Sequence, residues 1–356
     1  MKKISGKCID APVTGVGYNS IDLLKFFCAI LVLFIHTQPL QNISAFGELV
    51  LVNFLARIAV PVFFITSGFF FYKKILREGF KINVLGSYLR RLLIVYVVWT
   101  VIYLPYDLLY PLFSSHDEGQ KLALSYLWRV FFTGSHFHLW YLPGLMTAVT
   151  LLFVLCKYLN LKIVGIIFFV LYLVGLMGDS YFELAKQIGA GTFFYKLFFY
   201  VGPTRSGLFF GAIYVFVGAW FATKEKQFRL RNRGIILLTS VFAVVYFAEV
   251  IAISEYGLAR DRNMTLFLLP VSFMVFVMAV SSGLKFDLNY LRLREYSSFI
   301  YFFHGIPIIV FDLFLMQLPV FGDYRYLIRF FFVLVASLVF AGIFYGWDDR
   351  IKKRMI

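Results

Sequence analysis

The chain has 356 residues, of which 61% are hydrophobic, 21% aromatic and only 15% charged. Soluble chains carry about a quarter charged residues, so this composition excludes a compact globule clothed in polar surface and makes lipid the expected solvent. The formal net charge of +15 does not indicate nucleic acid, because the basic residues sit in short stretches between apolar runs and form no basic stripe.

A membrane-crossing helix needs about 20 mostly apolar residues. Taken in chain order, such stretches fall near 22–40, 51–71, 90–110, 139–157, 162–178, 206–222, 234–253, 264–282, 297–317 and 326–347. The expected fold is therefore an all-α, polytopic transmembrane helical bundle of about ten spans. Its parts are a cytoplasmic N-terminal segment over 1–21, a membrane domain over 22–347 and a basic cytoplasmic tail over 348–356. The stretches 111–138 and 179–205 read as loops, each with room for one short interfacial helix. No small-residue cleavage site follows the first apolar run, so a signal peptide is not expected. With the N-terminus inside, the inner segments hold 23 Lys and Arg and the outer segments 8. That bias places both termini in the cytoplasm of a bacterial-type inner membrane. The three cysteines, Cys8, Cys28 and Cys156, have no metal-ligand spacing and read as inert packing.

Ionisable residues inside spans are functional candidates by default. The first span carries Asp22, Lys25 and His36. Lys25 and His36 are eleven residues apart, close to three turns, so they share one face about 16 Å apart along the axis. Asp22 lies on roughly the same face; it either pairs with Lys25 at the inner interface or joins a functional line. His36 has the chemistry of a general base, since imidazole exchanges its proton near neutral pH. In the second span Arg57 precedes Pro61 and Thr66-Ser67-Gly68, and suits an anionic ligand or a carboxylate partner. The competing reading is an interfacial arginine beside a proline kink.

Entering the fourth span, Phe137-His138-Leu139-Trp140-Tyr141-Leu142-Pro143 offers substrate contacts, although for Trp140 and Tyr141 an aromatic belt at the interface is the preferred reading of the residues alone. His136 and His138 lack a third ligand in register and are too few for zinc; no metal is expected. Arg205, where a Gly-rich stretch opens the sixth span, is placed to hold an anion. Arg260, Asp261, Arg262 and Asn263 stand on the same side. His304 lies inside the ninth apolar stretch, between Tyr301 and Pro307. The chain has no Gly-x-Ser-x-Gly elbow and no Walker loop, so neither a serine nucleophile nor an ATP site is expected.

At these residues the chain resembles acyltransferase family 3, a family of integral membrane acyltransferases. The matching stretches are Ile21-Asp22-Leu-Leu-Lys25 through His36-Thr37, Arg57 through Gly68, Phe137 through Pro143, and Ser298-Phe-Ile-Tyr301-Phe-Phe-His304. Lys25 stands where arginine is commoner. A closer likeness, around Gly175–Tyr181, Thr204–Phe210 and Met264–Pro270, is to the membrane module of vancomycin-resistance serine racemases. The chain is expected to lack the soluble racemase domain of those proteins. The resemblance implies an acyl-CoA donor, usually acetyl-CoA, on the cytoplasmic side and a glycan or other hydroxyl acceptor at the outer face. It implies His36 as catalytic base, acting with Asp22 and Lys25. The donor would be met by Lys25 with Lys73 and Lys74 of the basic inner loop, and the acceptor by Arg57, His138, Trp140, Tyr141, Arg205 and His304. The alternative is an L-serine transporter, as the racemase likeness implies.

Overall fold

The structure, a computed structural model, describes residues 18–109, 119–225, 232–281 and 288–354. Cys8 and residues 1–17 of the expected cytoplasmic segment lie outside the described residues, as do parts of the stretches expected to be loops. Among the described residues every regular element is helical. The principal helices are α1 (Asn19–Thr37), α2 (Ala59–Glu78), α3 (Ile82–Leu104), α4 (Gly119–Phe132), α5 (Tyr141–Tyr158), α6 (Leu161–Met177), α7 (Ala212–Lys224), α8 (Asn232–Glu255), α9 (Leu268–Ser281), α10 (Tyr290–Phe303), α11 (Gly305–Phe314) and α12 (Arg325–Arg354).

Each of the ten expected stretches holds a helix, yet among the described residues only seven helices have the length and hydropathy to cross a membrane, or eight if α10 and α11 form one bent span. The fifth and eighth stretches fall short, with 17 residues in α6 and 14 in α9. The late start of α9 has a local cause. Residues 263–267 turn their amides toward two carboxylates instead of into a helix. Asp179 takes the N–H groups of Asn263 (2.8 Å) and Met264 (3.1 Å), and Glu249 takes those of Leu266 (2.6 Å) and Phe267 (2.8 Å). Glu249 thereby caps α9 with negative charge at its N-terminal end. The stretch 179–205 holds two short helices, Phe182–Gln187 and Gly191–Val201, where one was expected.

Lipid tails give helices no hydrophobic reason to associate, so close backbone approach carries much of the packing. α2 and α7 meet at two reciprocal glycines. A Cβ on Gly68 would lie 2.1 Å from the Val215 carbonyl oxygen, and one on Gly218 would lie 2.0 Å from that of Ile65. Gly207 meets the Gly144 carbonyl of α5 in the same way. α1 runs through the interior against α2, α10 and α12, burying Ile21, Cys28, Ala29, Val32 and Leu33. Cys28 is a free buried thiol.

Regular helix is interrupted close to Arg57, Arg205 and His304, whereas Asp22, Lys25, Lys73 and Lys74 sit in unbroken α-helix. Leu49–Leu55 is π-helical and Ala56–Ile58, with Arg57, is a 3₁₀ turn. Pro61 has no N–H to give the Arg57 carbonyl, which removes one bond of the ladder there. Pro105–Leu109 and Gly207–Gly211 are further π-helical turns, holding Asp107 and following Arg205. The fourth interruption is a 41° bend between α10 and α11 at His304. Pro307 leaves the Phe303 carbonyl without its helical donor. The Tyr103 hydroxyl reaches that carbonyl at 3.4 Å and the neighbouring Phe302 carbonyl at 2.7 Å, and His138 Nε2 also donates to Phe302 (3.2 Å). A broken membrane helix is tolerated where its freed carbonyls find such partners.

Candidate functional site

The breaks gather the histidines. His36 from α1 lies against His304 at the bend, their ring centroids 5.3 Å apart and nearly parallel. His138 is 4.5 Å from His304 and 6.4 Å from His36, and His136 is 5.3 Å from His138. Every described histidine is therefore in one cluster. Three have their tautomer assigned by acceptor-only partners. His304 Nδ1 donates to the carbonyls of Tyr301 (2.8 Å) and Ile300 (3.1 Å), His138 Nε2 donates to Phe302, and His136 Nδ1 donates to Asp107 (2.8 Å). In each ring the other nitrogen is buried with no partner. Burial, reinforced by the neighbouring imidazoles His304, His136 and His36, holds His138 well below the ordinary histidine pKa, so it is neutral. Among the described residues no group of three or more His, Cys, Asp or Glu side chains is arranged to hold a metal.

His36 differs from the other three. It is half-buried, makes no hydrogen bond among the described residues, and lines a cavity of about 330 Å³ with His136, Phe137, Arg205, Asp312 and Arg329. Arg329 and Asp312 close on each other at 2.6 Å. Arg205 stacks on the Trp140 ring at 5.1 Å and has no carboxylate within ion-pair distance among the described residues. Arg57 donates through Nη1 to Asn263 Oδ1 (3.0 Å), and both Arg57 and Arg205 bear electrostatically on His36.

Asp179 ties this region together. Besides the Asn263 and Met264 amides, it accepts from Asn263 Nδ2 (3.2 Å), Thr204 Oγ1 (3.0 Å) and Ser180 Oγ (3.2 Å). One fully buried carboxylate thus joins the end of α6, the turn before Arg205 and the turn before α9. Its part is to position Arg205 and, through Asn263, Arg57.

A second cavity, of about 340 Å³, lies toward the other end of α1 and is lined by Lys25, Ser67, Tyr88, Tyr141, Ser297 and Tyr301 among others. Tyr301 stands between the two cavities, its hydroxyl donating to the His138 carbonyl (3.0 Å). Tyr141 meets Ser67 Oγ at 3.2 Å. Trp140 and Tyr141 are 7% and 8% exposed. The aromatic-belt reading of these two is thereby corrected, because a belt residue faces the lipid interface and these face Arg205 and Lys25's cavity.

Asp22 and Lys25 form no ion pair within 4 Å, and Ser297 Oγ donates to the Lys25 carbonyl (2.9 Å). Lys73 is engaged by Glu225 (2.8 Å) and by the Tyr18 hydroxyl, and Lys74 donates to Ser87 (3.3 Å). Neither lysine is among the residues lining the Lys25 cavity. The structure therefore brings His36, His138, His304, Arg205 and Trp140 together, holds Arg57 on Asn263, places Lys25 with Tyr141 in the second cavity, and leaves Lys73 and Lys74 apart.

Sequence reasoning missed Asp107, Tyr103, Asp312 and Glu249. Asp107 follows Pro105 at the end of an apolar run, and Asp312 and Glu249 are acids inside apolar runs; the expense of such placements was the available signal.

A helical bundle that buries a histidine cluster between two cavities is the setting for chemistry inside a membrane protein. The model of the acyltransferase domain of family 3 matches residues 18–346, and the chain belongs to this family of integral membrane acyltransferases. Among curated proteins it is similar to an amino-acid racemase of Enterococcus faecalis, 28% identical over 338 residues, which cover 94% of this chain and 47% of that one. A second amino-acid racemase of Enterococcus faecalis is 29% identical over 71% of this chain and 34% of its own length. A serine/alanine racemase of Enterococcus gallinarum is 28% identical over 72% and 36%. The chain thus spans about a third to a half of the length of the curated relatives it matches. No solved structure matches.

Proposed function

We propose that the chain is an integral membrane O-acyltransferase of a bacterial-type inner membrane, with both termini cytoplasmic. In this reading it moves an acyl group, acetyl in the simplest case, from cytoplasmic acyl-CoA to a hydroxyl on an acceptor such as a cell-surface glycan. The observation that carries the reading is His36: of the four clustered histidines it alone has no hydrogen bond among the described residues, and it lines an open cavity.

The acceptor hydroxyl enters the His36 cavity, and His36 takes its proton as general base. The hydroxyl oxygen attacks the thioester carbonyl, the new C–O bond forms, the C–S bond breaks, and the leaving thiolate takes up the proton. The missing nucleophile elbow is consistent with direct transfer. The Lys25 cavity is the donor's approach in this reading, with Lys73 and Lys74 drawing CoA phosphates toward the inner face and Tyr301 and Tyr141 framing the passage toward the histidines. Trp140 supports Arg205, and His138 and His304 shape the wall around His36.

The test is acetyl transfer from radiolabelled acetyl-CoA by the purified protein in liposomes supplied with hydroxylated acceptors. General base catalysis contributes about 10²–10⁴-fold, so His36→Ala is expected to lose at least about 100-fold in rate while keeping the wild-type unfolding temperature. A folded His36→Ala protein with full transfer would sink the mechanism. Accumulation of labelled L-serine in the liposomes, without acyl transfer by the wild type, would overturn the reading in favour of a transporter.

A further inference from the structure

The outer cavity holds more positive charge than the transfer reaction itself demands. Acceptor deprotonation needs a base, and the proposed function already assigns that to His36. Two guanidinium groups, Arg205 and Arg329, also line the cavity, against one carboxylate, Asp312. Arg329 and Asp312 satisfy each other at 2.6 Å, which leaves Arg205 over. The carboxylates whose charge reaches Arg205 are Asp179 and Asp261. Asp179 is saturated by five donors, and Asp261 faces Arg260 at 3.3 Å. Asp107, in the turn that follows α3, is taken by His136 at 2.8 Å. Arg205 is thus a mostly enclosed cation with an aromatic ring on one face, no ion-pair partner among the described residues, and a cavity in front of it.

An unpaired charge that is partly withdrawn from water is costly, and arginine cannot relieve it by deprotonating. The fold nevertheless holds the group in place, through Thr204 on Asp179 (3.0 Å) immediately before it and the Ser206 hydroxyl on the Phe209 amide (3.4 Å) immediately after it. Such expense is retained where a ligand supplies the counter-charge, and a planar guanidinium fits carboxylate and phosphate best. The cavity, at about 330 Å³, is at the small end of ligand pockets and admits a group about the size of one sugar ring.

We infer that the acceptor bound beside His36 carries an anionic group, a carboxylate or a phosphate, next to the hydroxyl that is acylated, and that Arg205 selects for it. This rests on the acyltransferase reading for the word acceptor, but anion binding is measurable without turnover. The probes are glucuronate, glucose 6-phosphate and glucose, which share a hydroxylated ring and differ in charge. Binding to the purified full chain in nanodiscs is followed by isothermal titration calorimetry, with saturating CoA present to occupy any donor site.

At least one anionic probe is expected to bind tenfold or more tightly than glucose, and the stronger of the two identifies carboxylate or phosphate. Arg205→Gln is expected to bring that probe to the level of glucose, while Arg205→Lys keeps part of the preference. His36→Ala is expected to keep the tenfold preference of that probe over glucose, because the contact it removes is shared by all three rings. Equal binding of all three probes, binding of none, or an unchanged preference in a folded Arg205→Gln protein would overturn the inference. Loss of acyl transfer with the preference intact would instead count against the catalytic reading alone.

Discussion

Replacing Gly68 with alanine adds one methyl group at one of the two tightest points between α2 and α7. Its Cβ would stand 2.1 Å from the Val215 carbonyl oxygen and 2.7 Å from that residue's Cα and carbonyl carbon. A carbon–oxygen contact settles near about 3.3 Å, so the helices must part by roughly 1 Å. The obstacle is backbone, which has no rotamer to escape into. Overpacking costs about 1–3 kcal/mol, and the upper end applies here because neither side can yield. Gly218→Ala is expected to cost a similar amount, since its Cβ meets the Ile65 carbonyl at 2.0 Å. The double variant is expected to cost clearly less than the two single costs together, because helices already parted by one methyl have room for the other. The assay is reversible unfolding in mixed micelles, read by tryptophan fluorescence. A Gly68→Ala protein within about 0.5 kcal/mol of the wild type, or strict additivity in the double variant, would refute the account of this interface.

Asp179→Ala removes the acceptor for five donors at once; with each stranded buried donor costing about 1–3 kcal/mol, a loss of more than about 3 kcal/mol is expected, against about 1 kcal/mol for Thr204→Val. Thermal unfolding of both proteins checks the ranking, and equal losses would mean that Asp179 is not the hub. Acidification should weaken the fold through His138, whose pKa is held below its ordinary 6.5 chiefly by burial. Below pH 6.5 the unfolded chain gains a proton there that the folded chain refuses, so stability is complete above that pH and declines as the pH falls. Unfolding measured from pH 7.5 down to about pH 5.5 should show this slope in the wild type and a shallower one in a folded His138→Gln protein; identical slopes would count against a neutral buried His138.

The positions of the apolar stretches were legible in the chain because lipid imposes a length and a composition on every span. So were Lys25 and His36 on one helical face, since that needs only the 3.6-residue repeat, and so was the family, whose motifs are contiguous runs of residues. The pairing of His36 with His304 was not legible. Those residues are 268 positions apart, and their meeting depends on a bend that Pro307 opens and that Tyr103 and His138 satisfy from other helices. Nor did local pattern separate a lipid-facing aromatic belt from Trp140 under Arg205 and Tyr141 beside Ser67, because both arrangements use the same residues in the same order. The count of full-length helices also turned on tertiary contacts, since Asp179 and Glu249 divert the amides with which α9 would have begun. Composition and periodicity act along the chain and decide which segments enter the bilayer. Carboxylates, freed carbonyls and guanidinium groups find their partners across it, and only the packed bundle decides which ones meet.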